Sequence, residues 1–141
     1  MTQIELNKVL EEHKKWLETE GKEGKRANLS GEDLRYVDLS CANLRYADFS
    51  LADLRHANLS DADLRYAVLD YSTFPLWSGG LNVHIDDRQA TQLLYHLVRN
   101  VLYSKNTSKE LKNLLGSKEL IEQANKFHRV KKCGKIGGEN E

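Results

Sequence analysis

The sequence has little of several residues that mark common protein classes. Cysteine occurs twice, as Cys41 and Cys133, and this separation forms neither a disulfide framework nor a metal-ligand pattern. Proline occurs once, as Pro75, and no apolar run approaches the roughly 18 residues of a transmembrane helix. The N-terminal segment is too charged for a signal peptide. We therefore expect a cytoplasmic protein without a membrane segment.

The chain also lacks net charge, although its charges are unevenly distributed. Residues 27–75 carry eight acidic residues and four arginines, whereas residues 76–141 carry seven acidic and eleven basic residues. The molecule as a whole therefore has no strong electrostatic character, but its middle is acidic and its C-terminal part is basic.

Recognisable catalytic and metal-binding motifs are missing as well. The five histidines show no HExxH pattern and no spacing that links them to a cysteine. His84-Ile85-Asp86 suggests an acid–base pair, but an N-cap role for Asp86 is the simpler explanation. Ser78-Gly79-Gly80 lacks the context of a nucleophile elbow. We expect no catalytic residues, no metal, no cofactor and no enzyme activity.

The feature that the sequence has in abundance is a five-residue repeat over residues 27–76. A large apolar residue recurs at every fifth position, most often with alanine two residues before it. Asn or Asp lies between the two in the first eight units. The apolar positions are Leu29, Leu34, Leu39, Leu44, Phe49, Leu54, Leu59, Leu64, Leu69 and Phe74.

Neither regular secondary structure accommodates a period of five. In an α-helix, five residues rotate the chain by roughly 500°, so successive leucines would move around the helix surface. In an extended strand, alternate leucines would point to opposite faces. A square coil solves the problem, because each five-residue side can send one large residue inward and then turn a corner.

The units Ala42-Asn43-Leu44, Ala47-Asp48-Phe49 and Ala57-Asn58-Leu59 resemble the A-(D/N)-L-x-x motif of the pentapeptide-repeat family. The resemblance implies a β solenoid, namely a right-handed quadrilateral β-helix with four repeats per coil. Ten repeats would then form about 2.5 coils, a short rod at the usual strand spacing of about 4.8 Å.

Open solenoid ends need caps, and helical patterns flank the repeats. We predict a capping helix in residues 1–25, with a Thr2–Glu5 capping box, and the β-helix in residues 26–76. Residues 77–103 should form a loop and an amphipathic helix that caps the coil, forms a homodimer, or both. A helical, basic extension with a flexible end should occupy residues 104–141. The expected dimerisation residues are Leu93, Leu94, Leu97, Val98 and Val101.

A second period, of ten residues, governs the surface. In the first eight units the residue after the apolar centre alternates between serine and arginine, and an aromatic residue follows each of these arginines. Four sides per coil would place these arginines on two opposite sides. One interpretation is purely structural: the surface is solvent-exposed and neutralised by its own Asp–Arg pairs. The other interpretation is functional: the arginines and aromatic residues form two ribbons that bind a partner. The ribbons contain Arg35, Tyr36, Arg45, Tyr46, Arg55, His56, Arg65 and Tyr66.

The resemblance also implies a function, because some pentapeptide-repeat proteins imitate DNA. They occupy DNA sites on gyrase and topoisomerase IV, and small phage proteins of this build could block a defence nuclease such as a CRISPR effector in the same way. The expected function is thus inhibition or protection of a DNA-binding enzyme, with acidic side chains in place of phosphates. Those side chains would be Asp33, Asp38, Asp48, Asp53 and Asp63.

Two alternatives remain open. One is direct binding of nucleic acid or an acidic partner by the ribbons and the basic residues of the C-terminal extension, although the acidic balance of the repeats makes this less favourable. A purely structural scaffold is the other. The basic residues concerned are Lys126, Arg129, Lys131, Lys132 and Lys135.

Overall fold

The computed structural model describes residues 1–75, 78–128, 130–133 and 135–137. The chain divides into two compact units, Met1–Asp86 and Asp87–Glu141. We call the first the repeat unit and the second the helical unit. Each is described by itself.

The repeat unit opens with helix α1, Gln3–Glu18. Its N-cap is Thr2, whose hydroxyl accepts a hydrogen bond from the Glu5 backbone amide, while the Glu5 carboxylate accepts one from the Thr2 amide. The predicted capping box is therefore confirmed. Beyond the helix the chain turns sharply at Gly24, whose φ is 71°. A side chain there would clash with the Glu12 carbonyl oxygen, so only glycine fits.

The repeats pair with themselves at a spacing of twenty residues. Asn28 forms a parallel bridge with Asp48, Asp33 with Asp53, and Asp38 with Asn58. The backbone hydrogen bonds alternate in direction, as when the Asp53 amide donates to the Glu32 carbonyl and the Leu34 amide donates to the Asp53 carbonyl. The chain therefore passes beside itself every four repeats. Residues twenty apart form what we call a column.

A tight turn separates each repeat from the next. The third residue of the turn has a positive φ, 64° at Tyr36 and 56° at Cys41, and the residue after it donates a hydrogen bond back to the apolar centre. These features match a type II turn. The turns leave one bridged residue per repeat, so the bridges remain isolated. In the described residues they join into no named strand or sheet, and the right-handed quadrilateral β-helix stays a prediction.

The apolar centres of the repeats form the core of this unit. Leu29 to Leu69 are all buried in the five-residue register, and the alanines of the later repeats lie beside them. Phe74, the last centre, is only partly buried and packs against the same core. The inward direction of the period-five leucines was thus predicted correctly.

The pairing extends beyond residue 76, where the sequence pattern ends. The Leu59 amide donates to the carbonyl of Gly79, which lies within a 3-10 helix at Ser78–Gly80. His84 then pairs with Asp63, one residue further along than the register of twenty requires. Val83 and Ile85 pack on the core. Val83-His84-Ile85 therefore acts as a degenerate repeat unit, although Leu76 and Trp77 lie outside the described residues.

Helix α1 supplies hydrogen-bond partners to the first coil, which has no preceding coil. The Gln3 side-chain amide both donates to the Asp38 carbonyl and accepts from the Asp38 amide, at 3.0 and 2.9 Å. His13 Nδ1 accepts from the Ala27 amide at 3.1 Å. Leu6 is fully buried in the repeat core. These are the contacts that a capping helix makes.

The helical unit contains α2 (Asp87–Tyr103), α3 (Lys109–Leu115), α4 (Lys118–Ala124) and α5 (Val130–Cys133). Ser108 and Ser117 cap α3 and α4, each accepting a hydrogen bond from a backbone amide of the first turn. The core of this unit is small, and it consists of Tyr95, Val98, Ala124, Phe127 and Ile136.

Part of the predicted flexible end is anchored in this unit. Ile136 is buried, and its amide and carbonyl are both hydrogen-bonded to the Asn125 side chain. The Gly137 amide donates to the Tyr103 hydroxyl. Residues 138–141 of the predicted flexible end lie outside the described residues.

Candidate functional site

The Asn or Asp of each repeat has a structural task in its own turn. One side-chain oxygen accepts a hydrogen bond from the backbone amide two residues later, which forms an Asx turn. Asn and Asp perform this task equally, since both carry the acceptor oxygen. The eight residues concerned are Asn28, Asp33, Asp38, Asn43, Asp48, Asp53, Asn58 and Asp63.

Three of the five predicted phosphate-mimicking carboxylates are bound to arginines of their own repeats. The Arg35 Nε and Nη2 atoms donate to the two Asp33 oxygens at 2.8 and 2.6 Å. Arg55 donates to both oxygens of Asp53, and Arg65 to both oxygens of Asp63, in the same bidentate geometry. These carboxylates are therefore largely neutralised within the molecule, as the structural interpretation of the surface expected.

The pKa values of these carboxyls agree with the pairing. The hydrogen bond from Arg35 lowers the pKa of Asp33 to about 2. The hydrogen bonds from Arg55 and Arg65 lower the pKa values of Asp53 and Asp63 in the same way. All three groups are thus ionised throughout the neutral range, and their charges are permanent.

Asp38 and Asp48 differ, because the residue after their apolar centre is serine. Hydrogen bonds from Ser40 and Ser50 lower their pKa values, so both are ionised at neutral pH. Asp38 also accepts a hydrogen bond from the Asn58 amide group at 3.2 Å. Among the five predicted acidic contacts, these two have no arginine ion pair in the described part of the chain.

The arginines lie in two columns, as the ten-residue period predicted. Arg35 and Arg55 share one, which we call the Arg35 column, because Asp33 pairs with Asp53. Arg45 and Arg65 share the other, the Arg45 column. In the Arg35 column the Arg35 Nε atom also lies 3.8 Å from an Asp53 oxygen, so opposite charges alternate along it. This alternation offsets the repulsion between stacked arginines.

Aromatic rings stack along both columns. Tyr36 and His56 lie 4.9 Å apart with an interplanar angle of 3°, and Tyr46 and Tyr66 lie 4.9 Å apart at 11°. Tyr36 is 74% exposed and Tyr66 is 52% exposed. Each ring projects from a turn residue with positive φ, which the backbone hydrogen bonds hold in place. The two columns therefore present stacked aromatic rings on the surface of the repeats.

One member of the Arg45 column environment, Trp16, was missed by sequence reasoning. Trp16 of α1 meets Tyr46 edge-on at a ring distance of 6.3 Å. Arg45 lies over both tyrosines, 5.5 Å from the Tyr46 centroid and 5.7 Å from the Tyr66 centroid. Helix periodicity placed Trp16 beside the apolar stripe of α1, but only the packing of α1 on the repeats could show which column it reaches.

The predicted dimerisation residues do not form one surface. Val98 and Val101 are buried within the helical unit, and Leu94 packs against the core of that unit. Leu93 and Leu97 are exposed. Most of the wide apolar stripe of α2 is therefore used by its own helical unit.

The basic residues of the C-terminal extension are described only in part. Lys126, Lys131 and Lys135 are exposed. The Lys126 Nζ atom donates to the Gln123 side chain at 2.7 Å. Arg129 and the Lys132 side chain lie outside the described residues, so the predicted basic surface is only partly visible.

The His84–Asp86 segment, which the sequence suggested as an acid–base pair, has a structural role. The His84 backbone pairs with the Asp63 repeat, and an Asp86 oxygen accepts a hydrogen bond from the Tyr66 amide, so this segment continues the coil. Cys41 is exposed at a turn. Within the described residues no group of three or more His, Cys, Asp or Glu side chains could hold a metal ion. No described helix is both long and apolar enough to cross a membrane.

Comparison with known families agrees with the repeat geometry. The family model described as pentapeptide repeats matches eight copies, over residues 25–61 and 42–74. A search of curated proteins found no match. Proteins of this family are often protein-binding or DNA-mimic modules and are generally non-enzymatic. Residues 25–74 of this chain are therefore pentapeptide repeats.

Proposed function

We propose that this protein is a non-enzymatic protein-binding module and that its repeat unit contacts the partner through the Arg35 and Arg45 columns. The observation that carries the proposal is the stacking of exposed aromatic rings beside arginines on a hydrogen-bonded backbone. Tyrosine and arginine are enriched among the residues that dominate binding energy. Because these rings are already ordered, binding them costs little conformational entropy.

The fold proposed for this module is the right-handed quadrilateral β-helix that pentapeptide repeats imply. The parallel bridges between residues twenty apart support four repeats per coil. A turn at each repeat boundary and the inward leucines support a square cross-section. The pairing of His84 lengthens the coil beyond the ten units of the sequence pattern.

The proposal is tested by affinity capture from a bacterial lysate with and without nuclease treatment. A double variant, Tyr36→Ala with Tyr66→Ala, should lose the captured protein that the wild type retains. Tyr71→Ala is the matched control, because Tyr71 is an exposed turn residue with positive φ in a column without arginine. Equal capture by the double variant and the control would refute the proposal. Capture that requires intact nucleic acid would favour direct nucleic-acid binding.

DNA mimicry is the second candidate, with gyrase, topoisomerase IV or a defence nuclease as the partner. The observation that favours it is that Asp38 and Asp48 carry charges without an arginine ion pair in the described residues. Asn in their place keeps the Asx turn, as Asn28 and Asn58 demonstrate. Inhibition of gyrase supercoiling should therefore weaken in Asp38→Asn with Asp48→Asn while the melting temperature is kept. Inhibition that is unchanged would exclude mimicry by these two residues.

A homodimer through α2 would have to use Leu93 and Leu97, since Val98 and Val101 are buried. Both exposed leucines lie on α2 four residues apart, on one face of the helix. Leu93→Asp with Leu97→Asp should release folded monomers if this face pairs with a second copy. Sedimentation at several protein concentrations measures the change, and a monomeric wild type would refute the dimer.

A further inference from the structure

The Arg45 column contains an arginine that lacks the internal partner of its equivalents. Position 43 carries Asn, whereas the equivalent positions of the other three arginine repeats carry Asp. Asn43 keeps its turn, because its oxygen accepts a hydrogen bond from the Arg45 amide. It supplies no charge, and no carboxylate of the described residues lies within ion-pair distance of the Arg45 guanidinium.

The surroundings of Arg45 hold its side chain in a defined place. The guanidinium lies over Tyr46 and Tyr66, and Trp16 closes against Tyr46 from α1. The Arg45 Nε atom is buried and has no hydrogen-bond partner among the residues that the structure describes. The residue as a whole is only half-buried, so its terminal Nη atoms are the donors that remain for a partner. A charge on an aromatic platform of this kind is partly desolvated, which strengthens its attraction to an anion.

We propose that Arg45, on the platform of Tyr46, Tyr66 and Trp16, binds the carboxylate of an Asp or Glu side chain on the partner protein. This inference rests on the proposed protein-binding function and names the chemistry that one of its columns recognises. The molecule contains three examples of the same recognition in Arg35, Arg55 and Arg65, each with a carboxylate at 2.6 to 2.9 Å. Planar guanidinium and planar carboxylate match in geometry as well as in charge.

A protein carboxylate suits this position better than a nucleic-acid backbone. The repeat segment, residues 27–75, carries twice as many acidic residues as arginines. Asp63, which lies in the same column, is already held by Arg65. A single acidic side chain of a partner protein can reach Arg45 while the rest of the partner stays away from the acidic residues of the repeats. A strand of closely spaced phosphates would bring further negative charges against them.

The test gives Arg45 the internal partner that it lacks. Asn43→Asp reproduces the sequence of the three neutralised repeats and keeps the Asx turn, so the variant should fold. Asn28→Asp is the matched control, because it makes the same charge change at the same repeat position in a column where serine or aspartate, and not arginine, follows the apolar centre. The probe is a fluorescein-labelled oligoglutamate peptide, read by fluorescence anisotropy at low salt. A thymidine oligonucleotide of equal charge is the comparison probe.

We expect Asn43→Asp to weaken oligoglutamate binding by roughly fivefold or more, the upper range of an exposed ion pair, and Asn28→Asp to change it little. Arg45→Gln provides a second variant with the same expected loss. In the ¹⁵N spectrum of the wild type, the Arg45 Nε–H signal should shift as the peptide is added. Equal binding by Asn43→Asp and wild type, or equal losses in Asn43→Asp and Asn28→Asp, would overturn the inference. Tighter binding of the oligonucleotide through Arg45 would overturn it in favour of a phosphate ligand.

The outcome for this inference can be separated from that of the proposed function. If Asn43→Asp still captures the partner that Tyr36→Ala with Tyr66→Ala loses, the column surface binds protein but Arg45 does not recognise a carboxylate. If none of these variants alters capture, the proposed function itself fails.

Discussion

The repeat unit and the helical unit differ in how they bury leucine. In the repeat unit, the leucines of the five-residue register are buried without exception, from Leu29 to Leu69. In the helical unit, Leu93, Leu97, Leu111 and Leu114 are all exposed, and the core depends on two aromatic rings, Tyr95 and Phe127, with a few aliphatic neighbours. Hydrophobicity alone therefore does not decide burial. In the repeat unit, the position of a leucine in the five-residue register decides whether it is buried. In the helical unit, burial depends on which helix faces pack against each other.

Leu51 shows that the register matters even within the repeat unit. This leucine is 64% exposed, because it occupies the turn position with positive φ, whereas Leu54 three residues later is fully buried. Two leucines of the same coil are thus in opposite environments. They form a matched pair for testing how far position outweighs residue type.

The largest expected effect is that of Leu54→Lys. Lysine there would bury an unpaired charge among the apolar centres, and we expect a loss of about 3–5 kcal/mol in the free energy of unfolding, enough to unfold the unit. Leu51→Lys should change stability by no more than about 0.5 kcal/mol, since the side chain is already in solvent. Thermal melting followed by circular dichroism measures both. Similar melting temperatures for the two variants would show that the register does not govern burial.

Phe127→Ala should produce the next largest effect, in the helical unit. The ring stacks on Tyr95 at 4.8 Å and is almost fully buried, so its removal should cost about 3–4 kcal/mol and leave a cavity in a small core. Hydrogen exchange of the α2 and α4 amides measures the loss. Leu114→Ala is the control, as this leucine is largely exposed. Unchanged protection of both helices in Phe127→Ala would mean that this core does not hold them together.

A smaller, pH-dependent effect should come from His13. Burial lowers the pKa of this ring. The unfolded chain therefore takes up the proton first. Stability should be complete above the unfolded value of about 6.5 and fall as the pH drops below it, by at most about 1.4 kcal/mol per pH unit. Protonation would also remove the Nδ1 acceptor that binds the Ala27 amide.

The melting temperature of the repeat unit at pH 7.5 and pH 5.5 measures this dependence, and His13→Asn is the control. Asparagine can still accept a hydrogen bond near Ala27 but has no proton to gain in this range. His96 also has a pKa lowered by burial, so residual dependence in the helical unit is expected in both proteins. A pH profile of the repeat unit that is identical in wild type and His13→Asn would contradict the assignment.

The smallest effect is expected for Asp33→Asn. The ion pair with Arg35 is exposed, and asparagine keeps the oxygen that accepts the Arg35 amide. The melting temperature should stay close to that of the wild type. Asp33→Ala, which removes the acceptor as well, should lower it measurably. A large loss in Asp33→Asn would show that the ion pairs, rather than the Asx turns, stabilise the repeats.

These comparisons show which parts of the site could be predicted. The arginine columns and their aromatic neighbours follow from a ten-residue sequence period in a coil of twenty residues. The repeat spacing alone was therefore sufficient to predict them. The separation of the five acidic residues into three that are paired with arginine and two without an arginine ion pair in the described residues was also implicit, because it depends only on whether arginine or serine follows the apolar centre. The role of Trp16 and the pairing of His84 could not be predicted. The first depends on where α1 docks, and the second on a repeat whose motif has decayed.

The sequence by itself determined the register, the inward leucines and the turns of the repeats, because each five-residue unit carries its own acceptor, its own apolar centre and its own corner. These are local interactions, and repetition makes them consistent. Only the tertiary structure decided which residues of α2 are buried, how Gln3 and His13 complete the first coil, and which aromatic rings surround Arg45. Those outcomes depend on contacts between residues distant in the chain, whose partners no local pattern specifies.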